Sequence, residues 1–115
     1  MITLNLALLL NRNACASGIN RLIDGMIKEQ WFPDTVTEPI PLVCVTHYCS
    51  IGDMRWLLYV NNVPEYVASA FEHEAYTKLK KVTGHETFVE AAKHGCTQAQ
   101  EILTQCFMKH VGEQP

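Results

Sequence analysis

Two stretches of this chain set thiols near imidazoles, and a third sets an imidazole between carboxylates. Cys44-Val45-Thr46-His47-Tyr48-Cys49 offers ligands that zinc takes, but a structural zinc site wants four of them in a tetrahedral array. On a helix Cys44 and His47 are neighbours while Cys49 points away, so further ligands would have to come from His73, His94 or Cys96. The stretch therefore reads first as two core thiols and a partly exposed imidazole, with zinc held through Cys44 and His47 as the alternative. Cys106 and His110 lie one helical turn apart, close enough for a thiolate–imidazole pair. Catalysis would also need an oxyanion site and an orienting group, and the final segment offers neither clearly.

Glu72-His73-Glu74 places a basic ring among acids, which favours the charged ring. Adjacent helical residues fan out around the axis, however, so the simplest reading is a solvated face. Lys78-Leu79-Lys80-Lys81 is the single basic cluster, and it falls where positive charge complements a helix C-terminus. No phosphate-cradling glycine loop, nucleophile–base pair or metalloprotease helix motif is present in the sequence. The expectation is a chain without catalytic, cofactor-binding or metal-binding residues. Candidate partner contacts are the aromatics at element junctions, Trp31, Phe32, Tyr59 and Tyr66, with Glu72 and Glu74 as an acidic flank. Trp56 joins the same aromatic group; Trp and Tyr dominate interface energetics when exposed.

Short helices are what must position these residues. Gly52-Asp53-Met54-Arg55-Trp56-Leu57-Leu58 reads as a helix start with Asp53 as N-cap, opening onto a buried Trp. Upstream, Thr3 is placed to cap a first helix whose Leu4, Ala7 and Leu8 share a face, with Asn11 and Asn13 suited to its end. A second helix is predicted from Ala14 to about Gln30, with Cys15, Ile19, Leu22, Ile23 and Met26 at helical spacing. Ala14 and Gly18, four apart, mark a point where another helix could approach closely. Trp31-Phe32-Pro33-Asp34 ends that unit, its two aromatics predicted to fold back as a plug. Thr37 is then the expected cap of the next element, with Pro39 and Pro41 in its first turn.

Residues 42–49 suit strand or helix; the stripe Leu42, Val45 and Cys49 and the lack of a partner strand favour helix. Asn61-Asn62 breaks the Asp53 helix, and Pro64 opens a longer one. Val67, Phe71, Ala75 and Leu79 repeat along it, joined by Ala70 and Val82, until Gly84 stops it. The last third reads as a helical hairpin, with Phe88, Val89 and Ala92 leading to Gly95. A capping box at Thr97-Gln98-Ala99-Gln100 then starts a helix bearing Ile102, Leu103, Cys106 and Phe107, ended by Gly112. The fold predicted is all-α, a compact bundle of about five to seven short helices in a single helical domain, residues 1–115.

Composition narrows the function classes. Hydrophobic residues make up 48% of the 115 and charged residues 18%, which is globular rather than disordered. A net charge of −3 argues against direct nucleic-acid binding, and no stretch approaches the ~20 apolar residues of a membrane span. The apolar start, Met1 to Leu10, has no Lys or Arg before it, unlike a secretory signal. Five cysteines without Cys-x-x-Cys spacing fit a reducing cytoplasm.

Leu8-Leu9-Leu10-Asn11-Arg12-Asn13-Ala14-Cys15-Ala16-Ser17-Gly18 resembles a pattern of small phage and prophage accessory proteins. There a leucine-rich helix, Ala-Cys and Gly are followed by an aromatic-Pro-acidic turn, like Phe32-Pro33-Asp34, and an acidic cap before a Trp, like Asp53 and Trp56. The likeness covers roughly the first half of the chain, and its motifs are short. The Pro39/Pro41 segment and the C-terminal hairpin depart from it. The resemblance implies an intracellular protein that binds and blocks a host or defence protein, CRISPR effectors included. The sequence-based expectation is therefore a small non-enzymatic protein-binding module in the cytoplasm, without cofactor, membrane or nucleic-acid partner. A homodimer is possible if one apolar face is left uncovered.

Overall fold

Helices carry every regular element among the described residues, 2–84 and 97–112, of the computed structural model. In chain order they are α1 (Leu6–Asn11), α2 (Ala16–Glu29), α3 (Leu42–Thr46), α4 (Ile51–Val60), α5 (Glu65–Thr83) and α6 (Thr97–Phe107). A π-helical turn, Met108–Gly112, continues α6. The all-α expectation holds, including helix rather than strand over the start of residues 42–49. The predicted first arm of the C-terminal hairpin, Phe88 to Gly95, lies outside the described residues.

The core is an amphipathic sum of these helices. Val67, Phe71, Ala75 and Leu79 form the predicted stripe of α5, and all four are buried. Phe71 meets Phe107 of α6 edge-to-face, with ring centroids 5.8 Å apart and planes at 87°. That arrangement sets the positive ring edge against the negative face. Leu103 and Cys106 complete the buried face of α6, while Ile102 packs at its margin. Ala70 and Val82 are exposed, against expectation, because the buried stripe keeps to the four-residue row and these two stand three residues on from its members Val67 and Leu79.

Helix starts differ from their predicted positions, later in α1, α2 and α3 and earlier in α4. Asn5, not Thr3, caps α1, its Oδ1 accepting from Leu8 N–H at 2.8 Å. Thr3 instead extends beside α4: its N–H donates to Asn61 Oδ1 at 2.5 Å and its carbonyl accepts from Asn61 Nδ2 at 3.0 Å. This pairing draws Leu4 into the core, and Leu9 rather than Leu8 becomes the buried residue of α1. Cys15 caps α2, so that helix begins two residues later than predicted. Pro41, not Thr37, precedes α3, and Pro39 lies outside the helix. In α4 the cap is Ser50, and Asp53 occupies the third helical position of a reciprocal capping box. In α6, Gln100 of the predicted Thr97 box makes a longer-range bond: its Nε2 donates to Thr46 Oγ1 at 3.1 Å, tying α6 to α3.

Helix ends match the sequence more closely. Asn13, Gln30 and Asn62 adopt φ of 55°, 54° and 59°, and Gly84 closes α5 at φ 78°. Close helix approach occurs at Gly25, not at Ala14 and Gly18. A Cβ on Gly25 would stand 1.8 Å from the Cys44 carbonyl oxygen, so only glycine lets α2 and α3 meet there.

Candidate functional site

The predicted contact residues fall on separate faces. Trp31 packs against the core, whereas Phe32 is 62% exposed, so only one member of the expected aromatic plug folds back. Pro33 redirects the chain immediately after Phe32 and leaves its ring in solvent. Tyr59 and Tyr66, at the end of α4 and the start of α5, are 68% and 77% exposed. The Asn61-Asn62 turn and Pro64 bring these two helix ends together.

Between them lies a shallow hollow of about 300 Å³, lined in part by Arg55, Trp56, Tyr59, Val63 and Glu65. Its polar side is ordered by Arg55, which pairs with Glu65 and reaches Glu72 at 3.5 Å. Ser69 Oγ accepts from both Arg55 Nη atoms at 3.5 Å and donates to Glu65 at 3.3 Å. Glu65, Ser69 and Glu72 share a helix face by their i, i+4, i+7 spacing, which presents three oxygens to one guanidinium. The hollow therefore combines one exposed phenol, that of Tyr59, with a half-exposed indole and a fixed charge pattern, and the exposed Tyr66 follows Glu65 on α5.

Glu72 and Glu74 diverge. Glu72 turns to Arg55, whereas Glu74 joins α5 to the C-terminal turn. Glu74 Oε1 accepts from Lys109 Nζ at 2.7 Å, and Oε2 lies 3.2 Å from His110 Nε2 and 3.9 Å from Lys78 Nζ. The Lys109 hydrogen bond, outweighing partial burial and aided by the Cys106 thiol, holds the Glu74 carboxyl at about 2. The imidazole beside Glu74 is thus His110, not its chain neighbour His73, whose residue is exposed.

The same geometry settles the state of Cys106. Burial, then the thiol's hydrogen bond and proximity to Glu74, push Cys106 up to about 11. Glu74 engages both thiol and imidazole, and at neutral pH the sulfur is held as a thiol. Cys44 is fully buried and raised by burial, and His47 Nε2 is paired with Glu29 Oε2 at 2.6 Å. Among the described residues no three Cys, His, Asp or Glu side chains cluster as metal ligands; His94 and Cys96 lie outside that set.

Cys15 is different in kind. It is exposed, and its Sγ accepts from Gly18 N–H at 3.4 Å and lies 3.5 Å from Ser17 Oγ. The Ser17 contact and then the Gly18 amide lower its thiol below the ordinary range. Nearby, Arg21 grips Asp53 with two bonds, Nε to Oδ2 at 2.6 Å and Nη2 to Oδ1 at 2.7 Å. Burial pulls the Asp53 carboxyl up, but Arg21 and the Ser50 backbone together hold it below its ordinary value. Sequence spacing gave no sign of this pair, whose members are 32 residues apart. No protein-family model, curated protein or solved structure matches the chain.

Proposed function

We propose that this chain is a small, non-enzymatic protein-binding module that engages its partner through the α4–α5 face. The observation carrying this reading is the exposure of Tyr59 and Tyr66, 68% and 77%, beside the half-buried Trp56 and the ordered Arg55 network. Tyrosines in solvent contribute nothing to the core. On a partner they supply large apolar area with a polar tip at little entropic cost. Arg55, already held by two carboxylates, presents a charge pattern that needs no reordering on binding.

The partner class proposed is a host or defence-system protein, such as a CRISPR effector, blocked by occupancy of its working surface. That part rests on the resemblance of the opening residues to phage accessory proteins, and on a net charge of −3 that suits a basic partner surface. Among the described residues no helix is long and apolar enough to cross a membrane.

The test is binding of the purified chain to a panel of CRISPR effector complexes, comparing the native protein with Tyr59→Ala/Tyr66→Ala and with Phe32→Ala. The double variant should weaken capture by about tenfold or more, as removal of central anchors does, while Phe32→Ala stays within about threefold. Absence of any interaction at micromolar concentration removes the proposed partner class. Undiminished capture by the double variant removes the proposed surface.

A further inference from the structure

A second hollow lies on the other side of α4. It has a volume of about 320 Å³ and is closed by Leu9 of α1, Leu22 of α2, Val45 of α3, and Trp56 and Leu57 of α4. Four helices thus leave an apolar space that none of their own side chains fills. Several lining residues are not fully buried, and among them Cys15, Gly18 and Asp53 lie together at its mouth. Gly18 keeps that mouth open: a Cβ there would stand 3.2 Å from Cys15 Sγ and 3.4 Å from Asp53 Oδ1. Unlike Gly25, Gly18 meets no backbone of a neighbouring helix, so its missing side chain yields space rather than close packing.

From this geometry we infer that the cavity binds a small apolar molecule, a chain or ring of about six to ten carbons with an amine or hydroxyl end directed to Asp53 and Cys15. Size follows from volume: the space is about twice the roughly 150 Å³ apolar cavity that takes up benzene. Head-group chemistry follows from the mouth. Asp53 offers acceptor oxygens, and Arg21 spends both Nε and Nη2 on that same carboxylate. Asp53 lines the space and Arg21 does not, so a ligand carboxylate would meet the Asp53 carboxylate first, whereas an ammonium or hydroxyl donates to it.

Trp56 in the cavity wall supplies the readout. With Trp31→Phe as background it is the sole indole, and its emission is followed during titration with n-hexylamine, n-hexanol and n-hexanoate. Saturable responses to the amine and the alcohol are expected, with hexanoate at least about tenfold weaker. Gly18→Leu, which projects a side chain into the mouth, should abolish the response at unchanged melting temperature. Should that variant unfold, Ala14→Leu closes the same cavity from the adjoining turn and takes its place. No saturable response to any of the three probes, or an equal response in a folded mouth-blocked variant, overturns the site. Hexanoate binding as well as hexylamine overturns the head-group assignment.

Discussion

Four of the five cysteines are described, and they differ by position rather than by spacing. Cys44, Cys49 and Cys106 are interior, and burial raises all three, Cys49 to about 12 and Cys106 to about 11. Cys15 alone among them stands in solvent at a helix start, where amide and hydroxyl donors favour its thiolate. A thiol reagent at neutral pH should therefore modify Cys15 well before these three, as read by peptide mapping over time. Cys15→Ser should remove that early product and leave the helix start intact, since Ser is itself a good N-cap. Simultaneous slow modification of Cys15, Cys44, Cys49 and Cys106 would contradict the assignment. The sequence alone ranks these thiols only weakly, because Cys15 also sits at apolar spacing with Ile19 and Leu22. Its exposure is set by where α2 starts.

At the scale of elements, the helices were legible and their junctions less so. Periodic apolar residues define α5 and α6 whatever surrounds them. Caps are different, because neighbouring Ser, Asn, Asp and Thr compete and the winner depends on the rest of the fold. Asp53 lost the cap to Ser50 yet gained Arg21, so one carboxylate closes the helix start and ties α4 to α2. Gly18 and Gly25 look equivalent as letters; only the Cys44 carbonyl beside Gly25 separates them. Gly25→Ala should accordingly destabilise the protein by about 2–3 kcal/mol in urea unfolding, since backbone must move to admit the methyl group. An Ala at that position with unchanged stability would show that α2 and α3 do not pack through it. For the candidate surface, sequence reading found Tyr59 and Tyr66 from their place at helix ends. It read Phe32 both as half of a plug and as a contact, and it could not name Arg55 and Lys109 as partners of Glu72 and Glu74, because they are distant in the chain.

Across the whole molecule, α5 is the hub, packing on α4 at one side and on α6 and the C-terminal turn at the other. Glu74 governs how the second of these contacts responds to acid. Its carboxyl titrates at about 2 in the folded protein against an ordinary 4.5, so the unfolded chain binds more protons between those values. The resulting stabilisation is complete above about pH 4.5 and is lost as pH falls toward 2. Glu74→Gln should therefore lower stability at neutral pH and flatten the acid limb of the stability profile, measured as urea midpoint from pH 7 to pH 2.5. Because Glu74 is partly solvated, the loss at neutral pH should be modest, on the order of 1 kcal/mol. Parallel acid limbs in the native protein and the variant would assign the acid sensitivity to other carboxylates.

Trp56 and Gly52 border both hollows, the apolar one behind α4 and the tyrosine-flanked one before it. One indole is thus a party wall, and an occupant that fixed the ring from one side would fix it for the other as well. Reciprocity then requires that whatever a small guest does to the grip on a protein partner, the partner does equally to the grip on the guest. A molecule of this size would need no second domain for such cross-talk; a single shared side chain would be enough.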